Sequence, residues 1–217
     1  MIKEQMLIFG IGPLSKTVVS LCKDIETIEI VGFIIDDEYY VEDKYIGLPV
    51  YKYSNVSKQD FKIVTCIGYK SMRKRKEIFL KLQSDGFLFT NIIHPSVTIC
   101  NGFNIGVNNI IFPNVCVEPN VEIGNNNIFW SKTLLGHDCK IQNHNYIAAQ
   151  VLVGGNATVK DNCFLGNATS MVNEVILEEE TYLVAGSFLF NSTDKCTKYF
   201  GFPARKVSTH RENGIEI

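Results

Sequence analysis

Every sixth residue from Ile99 to Leu189 is apolar, sixteen positions in succession without a slip of frame. The chain is 46% hydrophobic, so chance would give such a run about four times in a million, before allowing for choice of frame. No α-helix has a period of six, and a strand that paired by simple alternation would not hold one frame so long. The pattern fits coils in which each hexad is one short strand and one corner, with the periodic aliphatic stacked on its copies in the coils above and below. Two residues earlier in each hexad the side chain is mostly small or apolar, as at Val115, Val121, Cys139, Ala157 and Cys163. Glycine often follows the periodic residue, at Gly106, Gly124, Gly136, Gly154 and Gly166, and these glycines are expected to form the corners. Three hexads close one triangular coil.

The first part of the chain has a different rhythm. MLIFGIG, IEIVGFIIDD, FKIVTCIG and FLFTNII are apolar runs of strand length. PLSKTVVSLCKDI and SMRKRKEIFLKLQSDG have helical spacing, with Pro13 in the first turn of one and Gly86 stopping the other. Continuous apolar strands alternating with helices predict a parallel sheet of Rossmann-like α/β type. The fold class is thus an α/β N-terminal unit over residues 1–93, followed by a parallel β-helix of hexapeptide repeats over 94–217, whose tail after 189 should leave the prism and cover something. The basic run Arg73–Lys76 is expected on the solvated face of its helix.

Composition excludes several classes. The net charge is −2 and no long basic block occurs, which argues against nucleic-acid binding. No apolar stretch approaches the ~20 residues of a membrane span. The seven cysteines form no CxxC pair and read as reduced thiols. The amino-terminal apolar run is short and enters a turn at once, unlike a signal peptide, so a cytoplasmic location is expected. His137 and His144 lie seven apart and not on equivalent corners, a poor arrangement for zinc, and no metal is expected.

GIGPLSK (10–16), FIIDD (33–37), GLPV (47–50), CIG (66–68), IIHPSV (92–97), GHDCKI (136–141), the ladder itself and GFPARKV (201–207) together resemble the hexapeptide-repeat sugar acyltransferases of the sialic-acid O-acetyltransferase and bacillosamine N-acetyltransferase type. The resemblance covers nearly the whole chain. It implies a left-handed β-helix, a homotrimer with active sites between subunits, coenzyme A as carrier of an acetyl or other acyl group, and a nucleotide-linked sugar as acceptor. It implies a place in lipopolysaccharide, O-antigen or capsule assembly.

The resemblance makes His137 the general base, with Asp138 orienting its ring. Histidine suits the task because it titrates near neutrality. Adjacent strand residues point to opposite faces, so contact between the two requires the corner's irregular backbone. Tyr146 stands where bacillosamine-type enzymes have a second histidine, and can donate to a thioester carbonyl or pack at an interface. Trp130 replaces a common asparagine and can stack on the substrate or fill an interface.

In the N-terminal unit, Gly10 and Gly12 precede a helix and allow backbone N–H groups to approach a phosphate, while Ser15 holds the third glycine position of the dinucleotide fingerprint. Pro13, Leu14, Lys16, Asp36, Asp37 and Gly68 complete the nucleotide-sugar set. For coenzyme A the resemblance implies small residues at bare corners, Gly155, Gly166, Ala168, Ala185 and Gly186, and the loop Pro203, Ala204, Arg205 and Lys206. The leading expectation is N-acylation of an amino-deoxy sugar. O-acetylation of a sugar hydroxyl and a catalytically inactive trimeric binding module are the alternatives.

Overall fold

The two rhythms become two kinds of sheet in the computed structural model, which describes residues 3–215 and 217. The N-terminal unit comprises β1 (Glu4–Phe9), α1 (Pro13–Cys22), β2 (Ile28–Ile35), β3 (Lys44–Tyr45), β4 (Leu48–Lys52), β5 (Lys62–Thr65), α2 (Met72–Ser84) and β6 (Leu88–Phe89). Its strands lie in the order β3-β4-β2-β1-β5-β6, all parallel except the β3–β4 hairpin. Strands buried on both faces need apolar residues at successive positions, and Met6, Leu7, Ile8 and Phe9 are all at most 3% exposed. The hairpin lies in the GLPV segment. Its turn, Ile46–Gly47, has two positive φ values, the geometry of a tight two-residue connection.

Seventeen two-residue strands then follow at six-residue spacing among the described residues, β7 (Ile92–Ile93) through β23 (Phe188–Leu189). Each from β7 to β20 pairs in parallel with the strand eighteen residues on, so three sheets enclose a prism. The ladder begins one hexad before Ile99. FLFTNII is two strands: Leu88–Phe89 ends the Rossmann-like sheet, and Ile92–Ile93 is the first rung, paired with Ile110–Ile111. Periodic residues from Ile111 onward are at most 5% exposed, whereas Ile99, at the open end, is 42% exposed.

The corners are made differently from the expectation. From Ile99 to Leu183 the residue three places after each inward aliphatic has left-handed backbone, at Asn108, Asn126, Asp138, His144, Ala168 and their equivalents, with φ between 55° and 79°. Asparagine recurs there because its short polar side chain tolerates that region better than most. The glycines immediately after the aliphatic are instead places of close approach. A Cβ on Gly106, Gly136, Gly154 or Gly166 would come within 2.7 Å of the backbone of the next coil.

The three faces of the prism differ. One carries Ile110, Phe112, Ile128, Tyr146, Ala148 and Phe164 outward, and these share a buried cluster with Val18, Cys66 and Met72 of the N-terminal unit. A second exposes Asn104, Glu122 and Lys140. The third presents Cys116, Leu134, Leu152 and Phe188, partly exposed.

Beside the covered face a polar seam joins the two parts. Thr65 N–H donates to Asn108 Oδ1 at 2.7 Å, Asn108 Nδ2 donates to Asn126 Oδ1 at 2.8 Å, and Asn126 Nδ2 meets His144 Nδ1 at 2.9 Å. Contrary to the expectation for the basic run, Arg75 is 1% exposed, donating to the main-chain carbonyls of His144 (2.8 Å) and Asn126. Arg73 grips Glu180 through two bonds of 2.6 and 2.9 Å and also the carbonyls of Arg211 and Glu212. After β24 (Thr197–Gly201) and β25 (Ala204–Thr209) extend the covered-face sheet, the tail therefore returns to the seam. There it buries Ile215.

Burial, with Arg75 beside it, lowers the His144 pKa from 6.5 to about 4. The unfolded chain takes up this proton near pH 6.5 and the folded chain near 4. The stability due to neutral His144 is thus intact above pH 6.5 and lost as pH falls from 6.5 towards 4. Between pH 7 and pH 5 the loss should be about 2 kcal/mol. Urea unfolding of the wild type and His144→Gln at the two pH values checks this: the variant's decrease should be smaller by that amount.

Candidate active site

Strand β14 (Leu134–Leu135) feeds the corner Gly136-His137-Asp138. The left-handed backbone at Asp138, φ 60°, brings two adjacent side chains to the same side. His137 Nδ1 lies 2.9 Å from Asp138 Oδ2. Asp138 Oδ1 accepts from Asn120 Nδ2, one coil earlier, at 3.1 Å. These partners, His137 first and Asn120 second, hold the Asp138 carboxyl below its usual range. An ionised carboxylate at Nδ1 keeps the proton on that nitrogen and leaves Nε2 as a bare acceptor, the tautomer a general base requires. The ring is half exposed.

Gly155 lies eighteen residues after His137, directly beneath the ring. A Cβ there would come 2.6 Å from Nε2 and 2.8 Å from Cε1. Its φ is not positive, and the three atoms nearest to an added Cβ all belong to the imidazole. Gly155→Ala is expected to leave the melting temperature within about 2 °C and to displace the imidazole; with His137 in the role of base that the resemblance implies, turnover should fall roughly tenfold or more. Thermal unfolding and kcat measured on the same preparation test it.

A second site opens at the ends of β1 and β5. A cavity of about 560 Å³ is lined by Gly12, Pro13 and Leu14 at the start of α1, by Gly68, Tyr69, Lys70 and Lys74, and by Trp130 and Tyr146 from the prism. Ser15, which breaks the glycine fingerprint, is fully buried and ties this turn: it accepts from Gly12 N–H and donates to Gly12 O, both at 2.9 Å. Tyr45 closes over the turn, its hydroxyl 3.1 Å from Gly12 O. Gly10 faces inward, against Ile67 and Cys66.

Besides Gly10, three residues of the expected nucleotide-sugar set do not line this crevice. Lys16 lines a separate cavity with Val19, Ser20 and Lys23. Leu14 and Thr17, three apart on α1, take the crevice face, and helical spacing turns Lys16 away. Asp36 Oδ1 is paired with Lys81 Nζ at 2.7 Å, and Asp37 Oδ1 accepts from Ser54 N–H at 3.0 Å. The cations at the crevice are Lys70 and Lys74. Their sequence signals were a lysine just past the CIG strand end and a lysine in the first turn of α2.

Tyr146 does not meet His137 within one chain. Eighteen residues make a coil, so nine residues make half a coil and place the two on opposite sides of the prism. Tyr146 stacks on Phe164 with ring centroids 5.3 Å apart, and Tyr69 packs edge-on to it at 5.1 Å. Burial pushes the Tyr146 phenol up to about 12. Trp130 stacks on Phe112 at 4.1 Å.

An adjoining cleft of about 380 Å³ runs from Trp130 and Tyr146 to Gly166 and Ala185, with Ile217 at its edge. Ala168 and Gly186 are stacked left-handed corners eighteen residues apart beside it. Pro203, after a cis peptide bond, and Arg205 belong to the β24–β25 hairpin. Ala204 packs on the prism core, Lys206 pairs with Asp194 at 2.8 Å, and Arg205 is exposed. Among the described residues no group of three or more His, Cys, Asp or Glu side chains could hold a metal ion.

Residues 5–82 match the PglD N-terminal domain family. No curated protein matches the chain by sequence. Many solved structures share its fold, among them the following three. A histidine-to-asparagine variant of perosamine N-acetyltransferase from Caulobacter crescentus, in complex with CoA and GDP-perosamine, superposes with a TM-score of 0.84 at 19% identity, over 96% of this chain and 98% of that one. The acetyltransferase domain of PglB from Neisseria gonorrhoeae, in complex with acetyl coenzyme A, gives 0.84 at 18% identity over 94% and 100%. WeeI from Acinetobacter baumannii gives 0.76 at 18% identity over 94% and 100%. The chain thus joins a unit that matches the PglD N-terminal domain family over residues 5–82 to a left-handed β-helix, and it shares this overall fold with the three solved structures.

Proposed function

We propose that the protein is an acyl-CoA-dependent N-acyltransferase that acetylates an amino-deoxy sugar carried on a nucleotide, in surface-glycan assembly such as that of lipopolysaccharide O-antigen or capsule. The observation that carries this reading is the His137–Asp138 dyad, its Nε2 bare over Gly155. It occurs on a fold whose solved examples include histidine variants of perosamine N-acetyltransferase bound to CoA and GDP-perosamine.

In the proposed reaction the neutral sugar amine attacks the thioester carbonyl. Nε2 of His137 takes the proton released as the N–C bond forms, and Asp138 stabilises the imidazolium. The C–S bond then breaks, and the thiolate of coenzyme A leaves with that proton. The crevice at Gly12–Leu14 takes the nucleotide, with the orphan N–H groups of α1 and the cations Lys70 and Lys74 towards its phosphates. The small residues Gly166, Ala168, Ala185 and Gly186 let the pantetheine arm approach the backbone. Arg205 and Lys206 lie on the hairpin that would meet the nucleotide end of coenzyme A. Among the described residues no helix is long and apolar enough to cross a membrane, and we place the reaction in the cytoplasm.

The base and the crevice face opposite sides of one prism, so a complete site needs a second copy. The face bearing Leu134, Leu152 and Phe188 is apolar and borders the His137 corner, which suits it to pack on another prism in a homotrimer. That assembly would bring His137 of one copy to the crevice of its neighbour.

Free thiol release from acetyl-CoA, measured with a panel of nucleotide-linked amino-deoxy sugars and their hydroxyl counterparts, tests the chemistry. Amino sugars should support release and His137→Ala should lower it by at least about 10²-fold. Release with hydroxyl acceptors alone would make the enzyme an O-acetyltransferase, and coenzyme binding without any acceptor activity would make it a binding module. Mixed refolding tests the shared site: His137→Ala and Leu14→Arg, each inactive alone, should together recover about a quarter of wild-type activity when mixed in equal amounts. A mixture as inactive as its components would sink the shared-site geometry.

A further inference from the structure

The corners of the prism have a common way of satisfying one exposed backbone group. The residue two places after an inward aliphatic has an N–H that points along the prism axis. The side chain in the same column one coil later accepts it. Val107 N–H donates to Asn125 Oδ1 at 2.8 Å, Asn125 to Asn143 Oδ1 at 2.9 Å, and Asn143 to Asp161 Oδ1 at 2.8 Å. On other corners Ala149 donates to Asn167 Oδ1 and Gly155 to Asn173 Oδ1, both at 3.0 Å.

His137 occupies this place in its hexad, and the residue beneath it is Gly155. That glycine gives the imidazole its room, since a Cβ there would meet the ring. It also deprives the His137 N–H of its column acceptor. The bond is made from the other direction: Glu118, on the preceding coil, accepts His137 N–H through Oε2 at 2.8 Å. The His137 carbonyl accepts from Asn156 N–H at 2.8 Å. The main chain that carries the base is therefore held on one side by Glu118 and on the other by the next coil.

We infer that Glu118 is a positioning residue of the proposed acyl transfer, capping the peptide of the general base in place of the column side chain that Gly155 gives up. It acts through His137 and need not touch substrate. The inference rests on His137 being the base, but its geometric part does not. An acceptor atom is what the position requires, so glutamine should serve nearly as well as glutamate, and alanine should not.

The test has two independent readouts, taken on the full chain as wild type, Glu118→Gln and Glu118→Ala. The first is hydrogen exchange of the His137 amide. Protection should fall at least tenfold in Glu118→Ala and stay within threefold in Glu118→Gln, with Asn125 and Asn143 unchanged as internal controls. The second is steady-state kinetics with acetyl-CoA and the best acceptor. Glu118→Ala should lower kcat tenfold or more with KM for acetyl-CoA within twofold and an unaltered melting temperature. Glu118→Gln should keep at least a third of kcat. Equal amide protection in all three proteins would overturn the inference, as would an alanine variant with full kcat or a loss of kcat that glutamine does not rescue. Lost amide protection in a protein that transfers no acyl group to any acceptor would leave the cap standing and reject the acyltransferase reading.

Discussion

The stacking of equivalent residues eighteen apart governs this molecule. Parallel pairing repeats at that interval on all three faces, so any residue meets its fellows at ±18 whether or not they share chemistry. Asn108 and Asn126 meet this way, as do Asn120 and Asp138, His137 and Gly155, and Phe112 and Trp130. A side chain at one corner thus imposes conditions one coil away. The imidazole of His137 requires glycine at 155, and the orphaned N–H is capped from the coil above. In an ordinary fold such a chain of dependence would be scattered through the sequence. Here it follows a fixed spacing.

The same regularity has to be interrupted where the N-terminal unit docks. A stack of corners presents main-chain carbonyls with a free lone pair each, and covering them with an apolar surface would leave polar groups buried without partners. Arg75 answers this for two coils at once, since its planar group carries several donors in a fixed fork. Burial brings its pKa down to about 10, low for guanidinium yet far above neutrality, so the group remains a cation. Arg73 answers the end of the stack by holding Glu180 and the returning tail. Two neighbouring members of one basic run therefore fasten the crevice-bearing unit to the prism and fix where the crevice stands relative to the corner of His137.

The repeat was legible in the sequence because a prism interior admits only apolar residues and admits them at one interval. The His137–Asp138 pair was legible because it broke that interval's ordinary composition at a recognisable motif. The roles of the glycines were not: a glycine after a periodic aliphatic signals either a strained corner or a close approach, and only the observed φ separates the two. Arg75 was hidden for a related reason. Its helix has charged residues all round, and no local pattern shows that the main chain at Asn126 and His144, more than fifty positions later, will meet one side of it. Lys16 and Asp36 stand away from the crevice for reasons a motif does not carry: a helix turns by 100° per residue, and the Asp36 carboxylate is paired with Lys81 of α2.

Geometry also separates the two positions at which this chain departs from the sequence pattern of its resemblance. Trp130 and Tyr146 lie on the covered face and line both the crevice and the cleft beside it. Half a coil separates Tyr146 from His137, so its substitution leaves the dyad, the glycine floor and the Glu118 cap of its own subunit untouched. What changes is the wall of the cavity: two large aromatic rings, packed against Phe112, Phe164 and Tyr69, make it more apolar and narrower than polar side chains of the same reach would. Aromatic surface of this kind favours the flat face of a base or the hydrogen-rich face of a deoxygenated ring over a heavily hydroxylated one. In the proposed reaction the departures thus bear on which acceptor enters, and leave the proposed base where the corner sets it.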